Sequence, residues 1–140
     1  HIVAAMEVPM TKIKLGLVKE LKLGNLDAKR DWGYAADYVK AMWLMLQQTE
    51  PYDCVIASGK LHSIRELLEI AFGRVNLKWN DYVKTDEKLY RSSEKHNLVG
   101  DYSKAKKKLG WEPKVSFEEL IAMMVEADIK ELQRQQLNKV

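Results

Sequence analysis

Hydrophobic and polar positions alternate with two periods along this chain, and the switch between them marks the elements. Leu21 and Leu23 are spaced by Lys22 and preceded by Glu20, the period of a short strand, and Gly24-Asn25 ends it. Residues 26–34 are polar and read as a turn. From about Ala35 to Gln48 the apolar residues Tyr38, Val39, Met42, Trp43 and Leu46 recur at three- and four-residue steps, which predicts a helix with one apolar face. After Pro51, the run Cys54-Val55-Ile56-Ala57 is apolar at every position, as in a strand buried on both faces of a parallel sheet. Such a strand needs neighbours, and the expectation is that its partners lie in sequence beyond this chain.

The next helix is announced by its start. Ser63 followed by Glu66 is a capping box, in which each residue satisfies a backbone N–H of the first turn. Ile64, Leu67, Leu68 and Ala71 form the expected buried stripe, and Gly73 the expected stop. Residues 74–102 are largely irregular, with a helical turn at Trp79–Tyr82 and a strand at Val83–Thr85. Ser103 is expected to cap a short helix ending at Gly110, and Trp111-Glu112-Pro113 to turn the chain. Ser116 with Glu119 is a second capping box. It opens a last helix with Phe117, Leu120, Ile121, Met124 and Ala127 inward and a fraying tail after Leu132. Before all these, residues 1–18 contain a helical stretch that starts or kinks at Pro9, since proline lacks the N–H donor. The sum is an α/β chain, rich in helices, with a few short strands.

Composition narrows the class. The 140 residues are 46% hydrophobic and 31% charged, which suits a folded domain and not a disordered one. A net charge of +3 from 23 basic and 20 acidic residues is too balanced to argue for nucleic acid or a membrane surface. No apolar run approaches the roughly 20 residues that span a bilayer. Cys54 is the single cysteine, so no internal disulfide forms, in keeping with a reducing, cytoplasmic setting. The chain opens at His1 and not at Met, as a fragment or processed piece would.

Several kinds of chemistry are missing. No G-x-G-x-x-G or P-loop string occurs, and His1, His62 and His96 lack metal-ligand spacing. Two polar stretches stand out instead. Arg30 lies beside Trp32 and Tyr34 just before a helix, where a guanidinium grips phosphate with paired hydrogen bonds, or else pairs with Asp27 or Asp31. Arg91 and Glu94 lie in the irregular stretch, where they suit a phosphate and a sugar hydroxyl, or each other as a surface ion pair. The lysines 104, 106, 107 and 108 read as a solvated helix face over an inward Ala105 and Leu109, the methionine pairs 42/45 and 123/124 as packing, and His62 as an exposed residue before a cap.

The string Leu23-Gly24-Asn25-Leu26-Asp27-Ala28-Lys29-Arg30-Asp31-Trp32-Gly33-Tyr34-Ala35 closely resembles GDP-mannose 4,6-dehydratases. So do Asp37-Tyr38-Val39 through Gln47, His62 to Glu66, Tyr90-Arg91 to Glu94, Gly100-Asp101 and Leu109-Gly110-Trp111. The resemblance spans about residues 12 to 129 and identifies an extended short-chain dehydrogenase/reductase. It implies that residues 1–140 are one C-terminal, substrate-binding portion, and that the N-terminal Rossmann domain that binds NADP and carries the catalytic Tyr, Lys, Thr and Glu is missing. It implies a lyase of GDP-fucose biosynthesis acting on GDP-mannose, a homo-oligomer when full length. Hydride would pass from C4 of mannose to NADP, water would leave across C5 and C6, and the hydride would return to C6. Arg30 and Arg91 would contact the diphosphate, Glu94 a hydroxyl of the nucleotide, and Asn25 a neighbouring group. No catalytic residue is implied here. The chain departs from the family at Val3-Ala4-Ala5, where Thr-Arg-Lys is usual, and at Ser92-Ser93, where Pro-Ala is usual. The competing readings are another nucleotide-sugar enzyme of the superfamily, such as a GDP-sugar reductase or UDP-sugar epimerase, and a stand-alone binding remnant without catalysis.

Overall fold

The computed structural model describes residues 10, 12–90 and 97–137. Met10 and residues 12–14 are helical, and the turn closes where Gly16 takes a positive φ of 71°. Pro9 lies outside the described residues. Four strands follow in chain order: β1 (Leu21–Leu23), β2 (Lys29–Arg30), β3 (His62–Ser63) and β4 (Val83–Thr85). Past that first helical turn, the described residues form the helices α1 (Ala35–Leu46), α2 (Ile64–Arg74), α3 (Ser103–Leu109) and α4 (Phe117–Leu137). Short 3-10 turns at Trp79–Asp81 and Glu87–Leu89 flank β4.

The strands make two separate pairs. β1 runs parallel to β4, with Leu21 opposite Val83 and Leu23 opposite Thr85. β2 runs antiparallel to β3, with Lys29 opposite Ser63 and Arg30 opposite His62. The second pair was invisible in the pattern, because two-residue strands carry too little alternation to separate from a turn. Tertiary pairing makes them strands.

The main core sits between α2 and α4. Leu67, Leu68 and Phe72 of α2 meet Ile121 and Val125 of α4, all fully buried, and Met10, Ile13, Leu21, Leu26 and Val83 close the far side. Each such side chain contributes about 1.5–3 kcal/mol on burial. The α2 stripe agrees with the sequence pattern. The α4 stripe differs: Ala122 and Val125 are buried, Met124 is half-buried and Ala127 is exposed, so the helix is rotated relative to the expectation. It also continues to Leu137, past the point where fraying was expected.

Both capping boxes form. The Glu66 amide donates to Ser63 Oγ at 3.1 Å and the Ser63 amide to Glu66 Oε2 at 2.7 Å. Ser116 and Glu119 repeat the exchange at 3.2 and 2.8 Å. Helix ends depart from expectation in two places. Gly73 is not a stop: α2 runs through it to Arg74, and Asn76 supplies the left-handed residue at φ 57°. Ser103 is the first residue of α3 and not its cap; its amide donates to Asp101 Oδ1 at 2.8 Å. Gly110 does end α3, at φ 63°.

A second, smaller core joins α1 to α3. Ala41, Ala105 and Trp111 are buried there, with Tyr38, Leu44, Cys54 and Ile56 around them. The Trp111 indole N–H donates to the Asp37 carbonyl at 2.8 Å, and Asp37 Oδ2 accepts from the amides of Lys114 and Val115 at 2.9 and 3.1 Å. Here the sequence reading requires its largest correction. Of the stripe expected to face inward on α1, Tyr38 does pack on the small core, but the rest faces outward: Val39 is 61% exposed, Met42 59%, Trp43 51% and Leu46 81%. Residues 54–57 are not buried on both faces either. Cys54 and Ile56 pack on the small core, Val55 is 52% exposed, and the segment has no strand partner among the described residues. Met45 meets Cys54, sulfur to sulfur at 3.8 Å, while Met42 is in solvent.

Candidate functional site

The site is built on the arm that leaves β1. Asn25 starts a tight turn: its side-chain oxygen accepts from the Asp27 amide at 3.0 Å, and its carbonyl accepts from the Ala28 amide at 3.4 Å. Leu26 and Ala28 are buried anchors on either side of Asp27. Their carbonyls accept from the amides of Arg65 and Ile64 at 2.9 and 3.2 Å, which fastens the arm to the start of α2. Arg65 doubles the link. Its Nε and Nη2 donate to Asp27 Oδ1 at 3.1 and 2.9 Å.

Arg30 comes next, half-buried at the end of β2, its backbone in register with His62. Its Nη1 donates to the Lys29 carbonyl at 2.8 Å. Of the two neighbouring carboxylates, Asp27 also binds Arg65, and Asp31 takes three backbone N–H groups. These come from Ser58 at 2.8 Å, Gly59 at 3.0 Å and Gly100 at 3.2 Å. Burial pushes the Asp31 carboxyl upward, but the Ser58 hydroxyl and the Ser58, Gly100 and Gly59 amides outweigh it, and the net shift is downward. Asp31 is therefore an anion at neutral pH. Close by, burial raises the Tyr38 phenol, assisted by the charges of Asp31 and Asp37.

Trp32 turns the other way. It stacks on Phe117 at 5.4 Å between centroids, and His62 stacks on Phe117 at 4.0 Å. His62 is thus half-buried in a ring contact and not freely exposed, with Glu66 Oε2 at 3.5 Å from its Nδ1. These rings line one wall of a cleft of about 280 Å³, completed by Ser58, Lys60, Tyr102 and residues 113–118. Asp31 and Ser58 are the signals that sequence reasoning passed over. An Arg-Asp pair followed by an aromatic drew attention to the arginine, while the acid's donors lie 27, 28 and 69 residues away in the chain.

Asn25 and Arg30 thus share one arm. Arg91, Glu94 and the Ser92-Ser93 departure lie outside the described residues, as does the Val3-Ala4-Ala5 departure. The described residues that bracket the second stretch are Tyr90 on one side and Asn97 on the other, both exposed, with Gly100, tied to Asp31, three residues on. Lysines 104, 106, 107 and 108 are exposed as expected, and Lys106 pairs with Glu112 at 2.6 Å. Among the described residues no cluster of His, Cys, Asp or Glu could hold a metal ion, and no helix is long and apolar enough to cross a membrane.

Comparison with known proteins bears on this arm and on the whole chain. The family described as GDP-mannose 4,6 dehydratase matches residues 5–124. GDP-mannose 4,6 dehydratase 1 of Arabidopsis thaliana is 51% identical over 126 residues, covering 90% of this chain and 35% of the relative. The Homo sapiens dehydratase is 47% identical, covering 86% of this chain and 37% of its own length. This chain therefore spans about a third of the curated relatives it matches. Among solved structures, RMD from Pseudomonas aeruginosa complexed with NADPH superposes with a TM-score of 0.83 at 20% identity, over 94% of this chain and 43% of that one. UDP-glucose 4-epimerase from Thermotoga maritima with UDP-glucose gives 0.74 at 27% identity, over 94% and 40%. The fold is that of the C-terminal part of an extended short-chain dehydrogenase/reductase, and with the family match reaching from residue 5 into α4, the chain belongs to the GDP-mannose 4,6-dehydratase family.

Proposed function

We propose that this chain is the substrate-side part of a GDP-mannose 4,6-dehydratase, a lyase that converts GDP-mannose to GDP-4-keto-6-deoxymannose and water. The observation that carries the reading is the arm of residues 23–35. Its sequence is the family's, and its backbone is fixed by β1, by the β2–β3 pair and by the start of α2. A guanidinium on such an arm meets a diphosphate from a preset direction, so little ordering is lost on binding. In this reading Arg30 and Arg91 hold the diphosphate of GDP-mannose, Glu94 accepts from a hydroxyl of the nucleotide, and Asn25 lies nearby. Their contribution is binding and orientation of the sugar.

NADP supplies the temporary hydride acceptor in this reading. The residues present do not fit it: no glycine-rich turn at a helix start seats a dinucleotide in this sequence. Cofactor and proton-moving groups belong to a Rossmann part that makes up the remaining length of the relatives. The outward apolar face of α1, and residues 54–57 with no strand partner among the described residues, support that division, since both are surfaces a further sheet or domain would cover. The complete protein is then a cytoplasmic homo-oligomer.

The test is turnover of GDP-mannose by the complete gene product, with the product identified by loss of one water. Arg30→Ala and Arg91→Ala are each expected to raise KM for GDP-mannose by about tenfold or more, the scale of a lost charge-assisted hydrogen bond. An unchanged KM in both would remove these arginines from the site. Product analysis also separates this reading from a reductase or epimerase. Turnover by the isolated 140-residue segment would overturn the division into a cofactor part and a substrate part.

A further inference from the structure

The arm that carries Arg30 is held at its far end by a single carboxylate. Asp31 accepts from the Ser58, Gly59 and Gly100 amides at 2.8, 3.0 and 3.2 Å. These donors sit on two irregular segments, remote from each other in sequence. The segments are pressed together at the same point: a Cβ built on Gly100 would lie 2.2 Å from the Ala57 Cβ and 3.6 Å from Asp31 Oδ2. Gly59 contributes a positive φ of 75°, which turns its amide toward the acid. Three converging N–H groups form a nest for one anion, and here the anion is a side chain of the neighbouring residue.

The arm is thus fixed on both sides of Arg30. On one side the β2–β3 register sets its backbone against His62. On the other the nest fixes Asp31. An arginine side chain has several rotatable bonds, so its reach is useful only if its Cα is held still.

We infer that Asp31 is a positioning residue for substrate binding: its carboxylate, seated on the amides of residues 58, 59 and 100, sets where Arg30 presents its guanidinium to the diphosphate. This rests on the proposed role of Arg30. The net downward shift of the Asp31 carboxyl agrees, because the nest requires the charged form.

The experiment is steady-state kinetics of the complete gene product with GDP-mannose, for wild type, Arg30→Ala, Asp31→Asn and the double variant. Asparagine keeps the size of the side chain but offers one acceptor oxygen in place of two. Asp31→Asn is expected to raise KM about tenfold while leaving kcat within about twofold, a split that small displacements of a binding group produce. In the Arg30→Ala background the same change is expected to add nothing further, since both act through one guanidinium. If Arg30→Ala leaves KM unchanged, the site reading itself fails. If Arg30→Ala raises KM and Asp31→Asn does not, the site stands and the positioning role is overturned. An equal KM increase from Asp31→Asn in both backgrounds also overturns it. Gly100→Ala is the second variant: it leaves the acid intact, displaces one donor, and is expected to reproduce the KM increase. Failure of both variants to fold would assign the nest to stability alone and overturn the proposal.

Discussion

At the scale of single residues, charge placement separates two acids that look alike in the sequence. Asp27 and Asp31 lie on either side of Arg30 in the sequence, yet one is an ion-pair partner of Arg65 and the other the centre of an amide nest. The difference predicts a pH signature. The Asp31 carboxyl is lowered in the folded protein, so its contribution to stability is fully present above the ordinary value of 3.8 and is lost as the pH falls through the lowered one. Urea unfolding of wild type and Asp31→Asn over a pH series is expected to show wild type more stable near neutrality and the gap closing on acidification below that ordinary value. A gap independent of pH would mean that the carboxylate's charge contributes nothing. The arginine drew attention in the sequence because a guanidinium suits phosphate and its surrounding string resembles the family's; the acid's amide nest was not legible, because its donors are backbone groups that every residue has.

At the scale of elements, local signals were read well and rotational ones poorly. A capping box is a statement about four consecutive residues, and both boxes form as expected. Ser63→Ala is expected to cost about 1 kcal/mol, since it orphans an N–H at the start of α2. A thermal or urea midpoint unchanged by that substitution would show the helix start to be held by the Ala28–Ile64 and Leu26–Arg65 backbone bonds instead. Gly73 shows why endings are harder. Glycine inside a helix and glycine after one look the same in sequence, and the stop fell to Asn76, whose neighbours Val75 and Leu77 pack into the core. The short β2–β3 pair was illegible for a related reason: a two-residue strand exists only because its partner is there.

At the scale of the whole molecule, the α1 stripe carries the clearest lesson. Its helical period was correct, but of the expected stripe Tyr38 alone packs inward and the rest points out, because periodicity gives a face but not what covers it. The buried contact with Trp111 and Ala105 is centred on small Ala41, flanked by Tyr38 and Leu44, while Val39, Met42, Trp43 and Leu46 point out. Val39→Glu with Leu46→Glu is accordingly expected to reduce self-association of the 140-residue segment in light scattering and to destabilise the complete protein. Equal stability of the complete protein with and without the two charges would argue that the face stays in water. The amide nest at Asp31 has a consequence of another kind. Amides in irregular backbone ordinarily trade their protons with water quickly, each on its own schedule. Those of Ser58, Gly59 and Gly100 answer to one acceptor, so a single local opening frees all three. Isotope labelling would then see residues on two distant segments breathe as one unit, with the carboxylate as its latch.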